Sequence, residues 1–200
     1  HVRFHSGASR LPDSGEHVEH LRGCPGVAEI RLDRNGFPHV RASSDRAAWF
    51  AQGYLHARER FFQMELTRRA GAGRLAELFG DAALPADRKL RTWRLDAVAR
   101  LHTALLEPAQ REALEAYADG VNAVITRHGR WIAPEIWMLA VDPEPWTVED
   151  SMRVGVMLQL NLSWGMGEEL KRAVQMARLG RERAVDLWGW TPDQVREWIP

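Results

Sequence analysis

The sequence predicts an α+β chain that is mainly helical, with a short β-hairpin near its N-terminus. Two observations carry this prediction: apolar residues recur at helical spacing over most of the chain, and one short stretch alternates as a strand does. The 200 residues allow roughly one domain, at about 150 residues per domain. We expect an irregular arm over residues 1–26, where glycine and proline are frequent, followed by one domain over residues 27–200.

The hairpin is predicted from alternation on both sides of a turn signal. Residues 28–32 alternate apolar and polar, and Asn35-Gly36 follows, a pair that tolerates positive φ. Residues 37–42 then fit a returning strand, which Pro38 confines to an edge because proline cannot donate to a ladder.

Helices are predicted from stripes of apolar residues at helical spacing and from residues that typically begin or end a helix. One helix begins after Ser43 or Ser44 and is interrupted at Gly71 and Gly73. A short segment then ends at Gly80.

Three longer helical segments are expected further on. A second stripe covers residues 90–105, and a third covers residues 108–129, between a proline and a glycine. Thr147 and Asp150 resemble a capping box for a helix that continues, with a doubtful break at Gly165 and Gly167, to Gly180. A last helical turn is expected from residue 191.

Composition excludes several classes of protein. The 27 Lys and Arg balance 27 Asp and Glu, which argues against a general nucleic-acid binder. No stretch approaches the roughly 20 apolar residues of a membrane span. Cys24 is the single cysteine, so no internal disulfide is possible, and no zinc-site spacing occurs. Because the chain starts at His1, we expect a processed or trimmed chain of something larger.

The residues alone predict no self-contained active site. There is no phosphate-binding loop, no GxSxG, no HExxH and no calcium loop. His39 could be a base or ligand, Arg58–Arg60 an acid–base group, and Arg68–Arg69 an anion grip. For each a structural role is favoured: a packed imidazole, solvated helix charges, and cations near a helix C-terminus.

Four segments resemble, in order, motifs of the penicillin acylase family of N-terminal-nucleophile hydrolases. Residues 35–42 (NGFPHVRA) resemble its GVPHI-A opening, and residues 53–65 (GYLHARERFFQME) resemble its GY-xA-x-DR-FQME helix. Residues 116–123 (AYADGVNA) match YA-GVNA, and residues 143–150 (PEPWTVED) match P-x-x-WT-x-x-D. The resemblance covers roughly residues 27–180.

The resemblance implies the α chain of a heterodimeric N-acyl amide hydrolase. Family members are made as a precursor that cuts itself into an α chain, a removed spacer and a β chain whose N-terminal serine is the nucleophile. The two chains form an αββα sandwich. This sequence resembles the α chain only, so no residue of it is expected to be catalytic. The family is mostly periplasmic or extracellular, and that compartment is expected here.

The resemblance also implies which residues line the acyl pocket. A gapless alignment from Trp146-Thr147 puts pocket positions on Gln159, Leu162 and Ser163, where phenylacetyl-preferring members have Met, Arg and Phe. These departures favour an aliphatic or differently shaped acyl group. The set of candidate substrate-binding residues is Gln159, Leu162, Ser163 and Trp164. The alternative interpretation is that these residues only pack helices.

The same alignment puts Glu169 on the family's one α-chain calcium ligand. Calcium prefers several hard oxygen donors, so the other ligands would come from the β chain. A one-residue shift would exchange Glu169 for Glu168, and an exposed carboxylate near a helix N-terminus explains either residue without calcium. No organic cofactor is expected.

Two other hypotheses stay open for the chain as a whole. Substrates could be penicillins, N-acyl homoserine lactones or acylated peptides, because fold is a poor guide to substrate. A different class is a non-catalytic helical interaction protein that keeps only the scaffold.

Overall fold

A computed structural model describes residues 18–21, 23–163 and 165–189. The chain divides into two compact units, His1–Met157 and Leu158–Pro200. Of the sequence predictions, Trp164 and the last helical turn from residue 191 lie outside the described residues. No helix among those described combines the length and apolar character needed to cross a membrane.

The first unit contains a three-stranded antiparallel sheet in the order β1-β2-β3. Strands β2 (Ala28–Leu32) and β3 (Pro38–Ala42) confirm the predicted hairpin, and Pro38 opens an edge strand. Strand β1 (Val18–His20) pairs with β2 and corrects the expectation of an irregular arm over these three residues. Ile30 is buried on the face of the sheet that meets the helices.

The hairpin turn is organised by one carboxylate. Asp33 Oδ1 accepts from the amides of Asn35 and Phe37 at 2.8 and 2.9 Å, while Gly36 takes a φ of +79°. The ring of His39 lies 3.3 Å from Asp33 Oδ2. His39 is therefore a structural imidazole, as favoured from the sequence.

The long first helix, α1 (Asp45–Ala72), has the predicted start. The side chain of Ser44 accepts from the amide of Ala47 at 3.2 Å, which caps the N-terminus. The helix ends at Gly73 in the left-handed conformation, so Gly71 is inside the helix and does not interrupt it. Arg60 has non-helical φ and ψ and kinks the helix.

Six further α-helices follow α1 up to Leu162, with two short 3-10 helices, Gly80–Ala83 and Gly129–Ile132, between them. The stripe over residues 90–105 is split between two of them, because Arg94 takes a left-handed φ of 57°. The predicted third helix is confirmed with Gly129 at its C-terminus. The helices are α2 (Ala76–Phe79), α3 (Leu84–Thr92), α4 (Leu95–Ala104), α5 (Pro108–His128), α6 (Pro134–Met138) and α7 (Val148–Leu162).

Helices α1 and α5 approach each other backbone to backbone at two glycines. A Cβ on Gly53 would lie 2.0 Å from the carbonyl oxygen of Tyr117, and a Cβ on Gly120 would lie 2.0 Å from that of Phe50. Glycine is required at both positions for steric reasons. Around this contact the core is apolar, with Phe61, Val121, Val124, Ile136 and Trp146 among its buried members.

The second unit is a helical hairpin of α8 (Gly165–Leu179) and α9 (Arg181–Trp188). The indole N–H of Trp188 donates to Gln175 Oε1 at 2.7 Å. Because α7 ends at Leu162, the doubtful break expected near Gly165 is real, and one helix does not continue to Gly180.

Candidate functional site

Helix α7 begins at a reciprocal cap. The amide and hydroxyl of Thr147 both donate to Asp150 Oδ2 at 2.9 Å, and the Asp150 amide donates to Thr147 Oγ1 at 3.2 Å. The predicted capping box is confirmed. Asn122 on α5 holds the preceding residue, since its side chain accepts from the Trp146 amide at 2.7 Å and donates to the Trp146 carbonyl at 2.9 Å.

A buried ionic cluster lies at the C-terminal end of α1. Glu65 is fully buried, and its two oxygens accept from the Nε atoms of Arg68 and Arg69 at 2.6 Å each. Both arginines are more than nine-tenths buried. They are therefore neither solvated helix-end cations nor a grip for an external anion, because carboxylates of this chain meet their charges: Glu65 pairs with both, Asp150 with Arg68 and Glu77 with Arg69.

Arg68 connects this cluster to the start of α7. Its Nη2 donates to the Glu144 carbonyl at 3.1 Å, and its Nη1 donates to the Pro145 carbonyl at 3.3 Å and lies 3.5 Å from Asp150 Oδ2. The guanidinium also lies over the Trp146 ring, 5.4 Å from its centroid. The Arg68 side chain thus fixes the connector before α7, which contains Glu144, Pro145 and Trp146, and also the helix cap that follows it.

Arg153 ties α7 to α4. It donates to Asp96 Oδ1 at 2.7 Å and to Asp150 Oδ1 at 2.8 Å. Although burial opposes it, hydrogen bonds from Arg100 and Arg153 hold the pKa of Asp96 below its ordinary range. The ionised network leaves Asp150 with partners on both of its oxygens.

The candidate pocket residues lie at the end of α7. Gln159 and Leu162 are exposed, and Leu162 has 80% of its surface free. Ser163 Oγ donates to the Gln159 carbonyl at 2.8 Å, so the structure brings these two residues together. Leu162 presents apolar surface beside them.

Glu169 lies in the first half of α8 and is exposed. Its neighbour Glu168 pairs with Lys171 at 2.6 Å, and that hydrogen bond lowers the pKa of Glu168. Within the described ranges, Glu169 forms no ion pair and no group of three or more potential metal ligands occurs. Glu169 could supply one oxygen ligand to a metal, and the donor set would have to be completed from elsewhere.

Several hydroxyls and the thiol of the described residues form hydrogen bonds within the chain. Ser43 Oγ accepts from the Val27 amide, and Ser151 Oγ accepts from the indole of Trp146. Burial raises the pKa of the Cys24 thiol, which makes the nucleophilic thiolate less available. In the part of the chain that the structure describes, no hydrogen bond joins a serine or cysteine to a basic side chain.

An open groove of about 380 Å³ lies between α1, α5 and the start of α7, and is called the α1–α5 groove below. The ring of His56 faces Tyr117 there, with Nδ1 3.0 Å from the phenolic oxygen. Burial raises the pKa of Tyr117 to about 12 and lowers that of His56. Sequence reasoning missed this groove, although Trp49, His56 and Gln63 recur on α1 at intervals of seven.

The penicillin amidase family model matches residues 27–194, which is most of the chain. The chain belongs to this family. The resemblance seen in the four sequence motifs is thereby confirmed.

Two curated relatives show the range of penicillin amidase family members that this chain is similar to. It is 36% identical to penicillin acylase 2 proenzyme of Pseudomonas sp. (strain SE83) over 82% of this chain and 21% of that protein. It is 32% identical to acyl-homoserine lactone acylase QuiP of Pseudomonas aeruginosa over 92% of this chain and 21% of that protein. The chain spans about a fifth of the length of these relatives.

A solved structure of the family supports the same assignment. The chain matches a thermostable penicillin G acylase from Alcaligenes faecalis with a TM-score of 0.63 and 28% identity, over 80% of this chain and 88% of that one. The mainly helical architecture with a small sheet is therefore that of a penicillin amidase family chain.

The penicillin amidase motifs have structural roles in this chain. Gly53 and Gly120 allow the close α1–α5 contact. Glu65 binds the two buried arginines, Asn122 holds the backbone before α7, and Asp150 caps that helix. These segments build the scaffold at the start of α7, whereas the candidate pocket residues follow at its end.

Proposed function

We propose that this chain is the α subunit of an N-acyl amide hydrolase that releases a carboxylic acid and an amine. One observation carries the proposal. The chain spans about a fifth of the curated acylase relatives, yet its match covers 88% of one chain in a solved penicillin G acylase, which is therefore of similar length. A precursor cleaved into a short α chain and a long β chain accounts for both lengths.

The nucleophile would then lie outside this chain. By family resemblance it is the N-terminal serine of the β chain, exposed by autoproteolytic processing, and its own α-amine takes the hydroxyl proton as the oxygen attacks the amide carbonyl. The oxyanion that forms would be stabilised by donors of the β chain. This agrees with the hydrogen bonds that several hydroxyls and the thiol of the described residues form within the chain.

For this chain we propose a share in the acyl pocket, through Gln159, Leu162, Ser163 and Trp164. The exposed Leu162 supplies apolar surface, and the absence of the arginine and aromatic residue of phenylacetyl-preferring members favours an aliphatic acyl chain. The 32% identity to an acyl-homoserine lactone acylase over 92% of the chain agrees with this choice, while the 36% identity to penicillin acylase 2 proenzyme keeps a penicillin as the alternative substrate.

Glu169 is proposed as a calcium ligand shared with the β chain. Its carboxylate is exposed and forms no ion pair among the described residues, whereas that of Glu168 is engaged by Lys171. Calcium would act structurally by joining two chains. On the family resemblance alone, we also propose a periplasmic or extracellular location.

The test uses the acylase expressed from its full reading frame. Mass spectrometry is expected to find this chain with a second chain that begins with serine. N-octanoyl homoserine lactone is expected to have a higher kcat/KM than a phenylacetyl amide. A stable single chain without hydrolysis would instead indicate the non-catalytic interaction protein, and a clear phenylacetyl preference would refute the aliphatic pocket.

Two matched pairs of variants test the residues. Leu162→Phe is expected to lower kcat/KM for the octanoyl substrate about tenfold, whereas Leu170→Phe, at an exposed leucine of α8, leaves it unchanged. Glu169→Gln is expected to lower calcium content and thermal stability, and Glu168→Gln is the control. Equal effects within either pair would contradict the assignment.

A further inference from the structure

We propose that the α1–α5 groove binds an apolar segment of the rest of the acylase polypeptide. The inference rests on the proposed function, since it assumes that this chain works together with the larger part of the acylase, which lies outside it. The inference adds which surface of this chain the remaining polypeptide contacts, namely the α1–α5 groove.

The groove has the shape of a docking site for an extended or helical segment. Helix α1 lines one side with residues at intervals of seven, so the groove follows the helix axis, and helices α5 and α7 line the opposite side. It is open to solvent along its length. Helix-in-groove recognition uses surfaces of this kind, with apolar side chains repeating along the bound segment.

The chemistry of the groove selects an apolar occupant. No acidic side chain, lysine or arginine lines it. Its polar groups are largely paired with each other: the Trp146 indole donates to Ser151 Oγ at 2.9 Å, and His56 bonds Tyr117. Carbon atoms and ring faces therefore make up most of the surface, and a charged ligand would lose its hydration without gaining a counter-charge.

The rest of the acylase fits the groove better than a second copy of this chain does. In a two-fold dimer formed here, one concave surface would face another, and neither would be filled. The polypeptide outside this chain is roughly three times as long as the chain, judged from the curated relatives, and part of it is expected to cover this chain's surface. An exposed apolar groove is the surface that gains most free energy from being covered.

Cysteine labelling tests the proposal in the intact acylase. Leu114 lines the groove on α5 and is half-buried, and Leu106, just after α4, is also half-buried but lies outside the groove lining. In the full-length acylase, Leu114→Cys is expected to react with a maleimide at least about tenfold more slowly than Leu106→Cys, with the labelled site identified by mass spectrometry. The labelling rates can be compared in this way whether or not the precursor has been cleaved into two chains. Equal, rapid labelling of both variants would overturn the proposal.

A second pair of variants measures the contribution of the groove to binding. Gln63→Arg puts a charge into the lining of the groove at an exposed position of α1, so the core of the chain is not disturbed, and Leu101→Glu, at an exposed position of α4 outside the groove, is the control. Gln63→Arg is expected to weaken association of the two parts at least about thirtyfold, as for a residue central to an interface. Equal weakening by the control would overturn the proposal.

Two other occupants are outcomes of the same experiments. If sodium octanoate binds to the acylase and protects Leu114→Cys while Gln63→Arg leaves the association intact, the groove is a small-molecule site. If this chain alone dimerises and Gln63→Arg abolishes the dimer, the occupant is a second copy. Either result refutes the docking of the acylase segment. An acylase that shows the protection but hydrolyses no amide would refute the proposed function and leave the docking standing.

Discussion

Substituting Gly120 by alanine tests the close contact between α1 and α5. The new Cβ would lie 2.0 Å from the Phe50 carbonyl oxygen and 2.9 Å from the Tyr54 amide nitrogen. Ordinary contact begins near 3.4 Å, so the helices would have to separate by about 1.4 Å. Because the atoms that clash are backbone atoms of a long helix, a change of side-chain rotamer cannot relieve the contact.

The expected cost follows from two opposing effects. Overpacking of this kind costs about 1–3 kcal/mol and sometimes more, and a backbone clash belongs at the upper end. Alanine has a higher helix propensity than glycine, which returns about 1 kcal/mol. We therefore expect Gly120→Ala to lower the free energy of unfolding by about 2 kcal/mol, or the melting temperature by about 4–8 °C.

Gly155 provides the matched control. It is also inside a helix, α7, but nothing lies within 4 Å of the Cβ that alanine would add. Gly155→Ala is expected to raise the free energy of unfolding by about 0.5–1 kcal/mol. Urea unfolding followed by circular dichroism measures both variants. If Gly120→Ala were neutral or stabilising, the close approach of the two helices would be wrong.

Three further predictions concern single side chains of the first unit. Glu65→Gln removes the carboxylate that Arg68 and Arg69 share, while Asp150 and Glu77 still pair with them, so it is expected to cost about 3 kcal/mol in urea unfolding. Glu59→Gln at an exposed position is expected to cost less than about 0.5 kcal/mol; similar costs would contradict the buried pairing. Asn122→Ala removes both bonds to the backbone of Trp146 and is expected to cost about 2 kcal/mol in the same measurement, while an unchanged midpoint would mean that water replaces them. The His56 ring is partly exposed, but its contact with Tyr117 removes some of its hydration and lowers its pKa from 6.5. The stability that the neutral ring contributes is therefore complete above pH 6.5 and is lost as pH falls through the lowered folded-state pKa. NMR titration should find the lowered pKa, and His56→Gln should reduce the loss of stability on acidification.

The sequence predicted those elements whose signals are local. The hairpin, the Ser44 cap, the end of α5 at Gly129 and the box of Thr147 and Asp150 each depend on residues close together in the chain. Such signals survive in any tertiary context, because turns and caps satisfy backbone groups within a few residues.

Tertiary packing decided what the sequence could not predict. Arg94 takes a left-handed conformation, which costs free energy for a residue with a Cβ, and no local signal indicates it. Glu65, Arg68 and Arg69 have the spacing of ordinary surface pairs on a helix. They are nevertheless buried, and Arg68 among them binds the carbonyls of Glu144 and Pro145, contacts between residues 76 and 77 positions apart that no local pattern indicates.

The buried ionic cluster is better explained by its role in orienting the connector before α7 than by a gain in the free energy of folding. Replacing a buried ion pair with apolar residues is often neutral or stabilising, so the cluster is weak support for a gain in free energy. Apolar side chains, however, could not bind the carbonyls of Glu144 and Pro145, which Arg68 fixes with directional hydrogen bonds. A connector held only by apolar contacts could slide, and the cap of α7 would shift with it. The directional hydrogen bonds of Arg68 therefore give α7 one defined start, which a gain in stability alone would not provide.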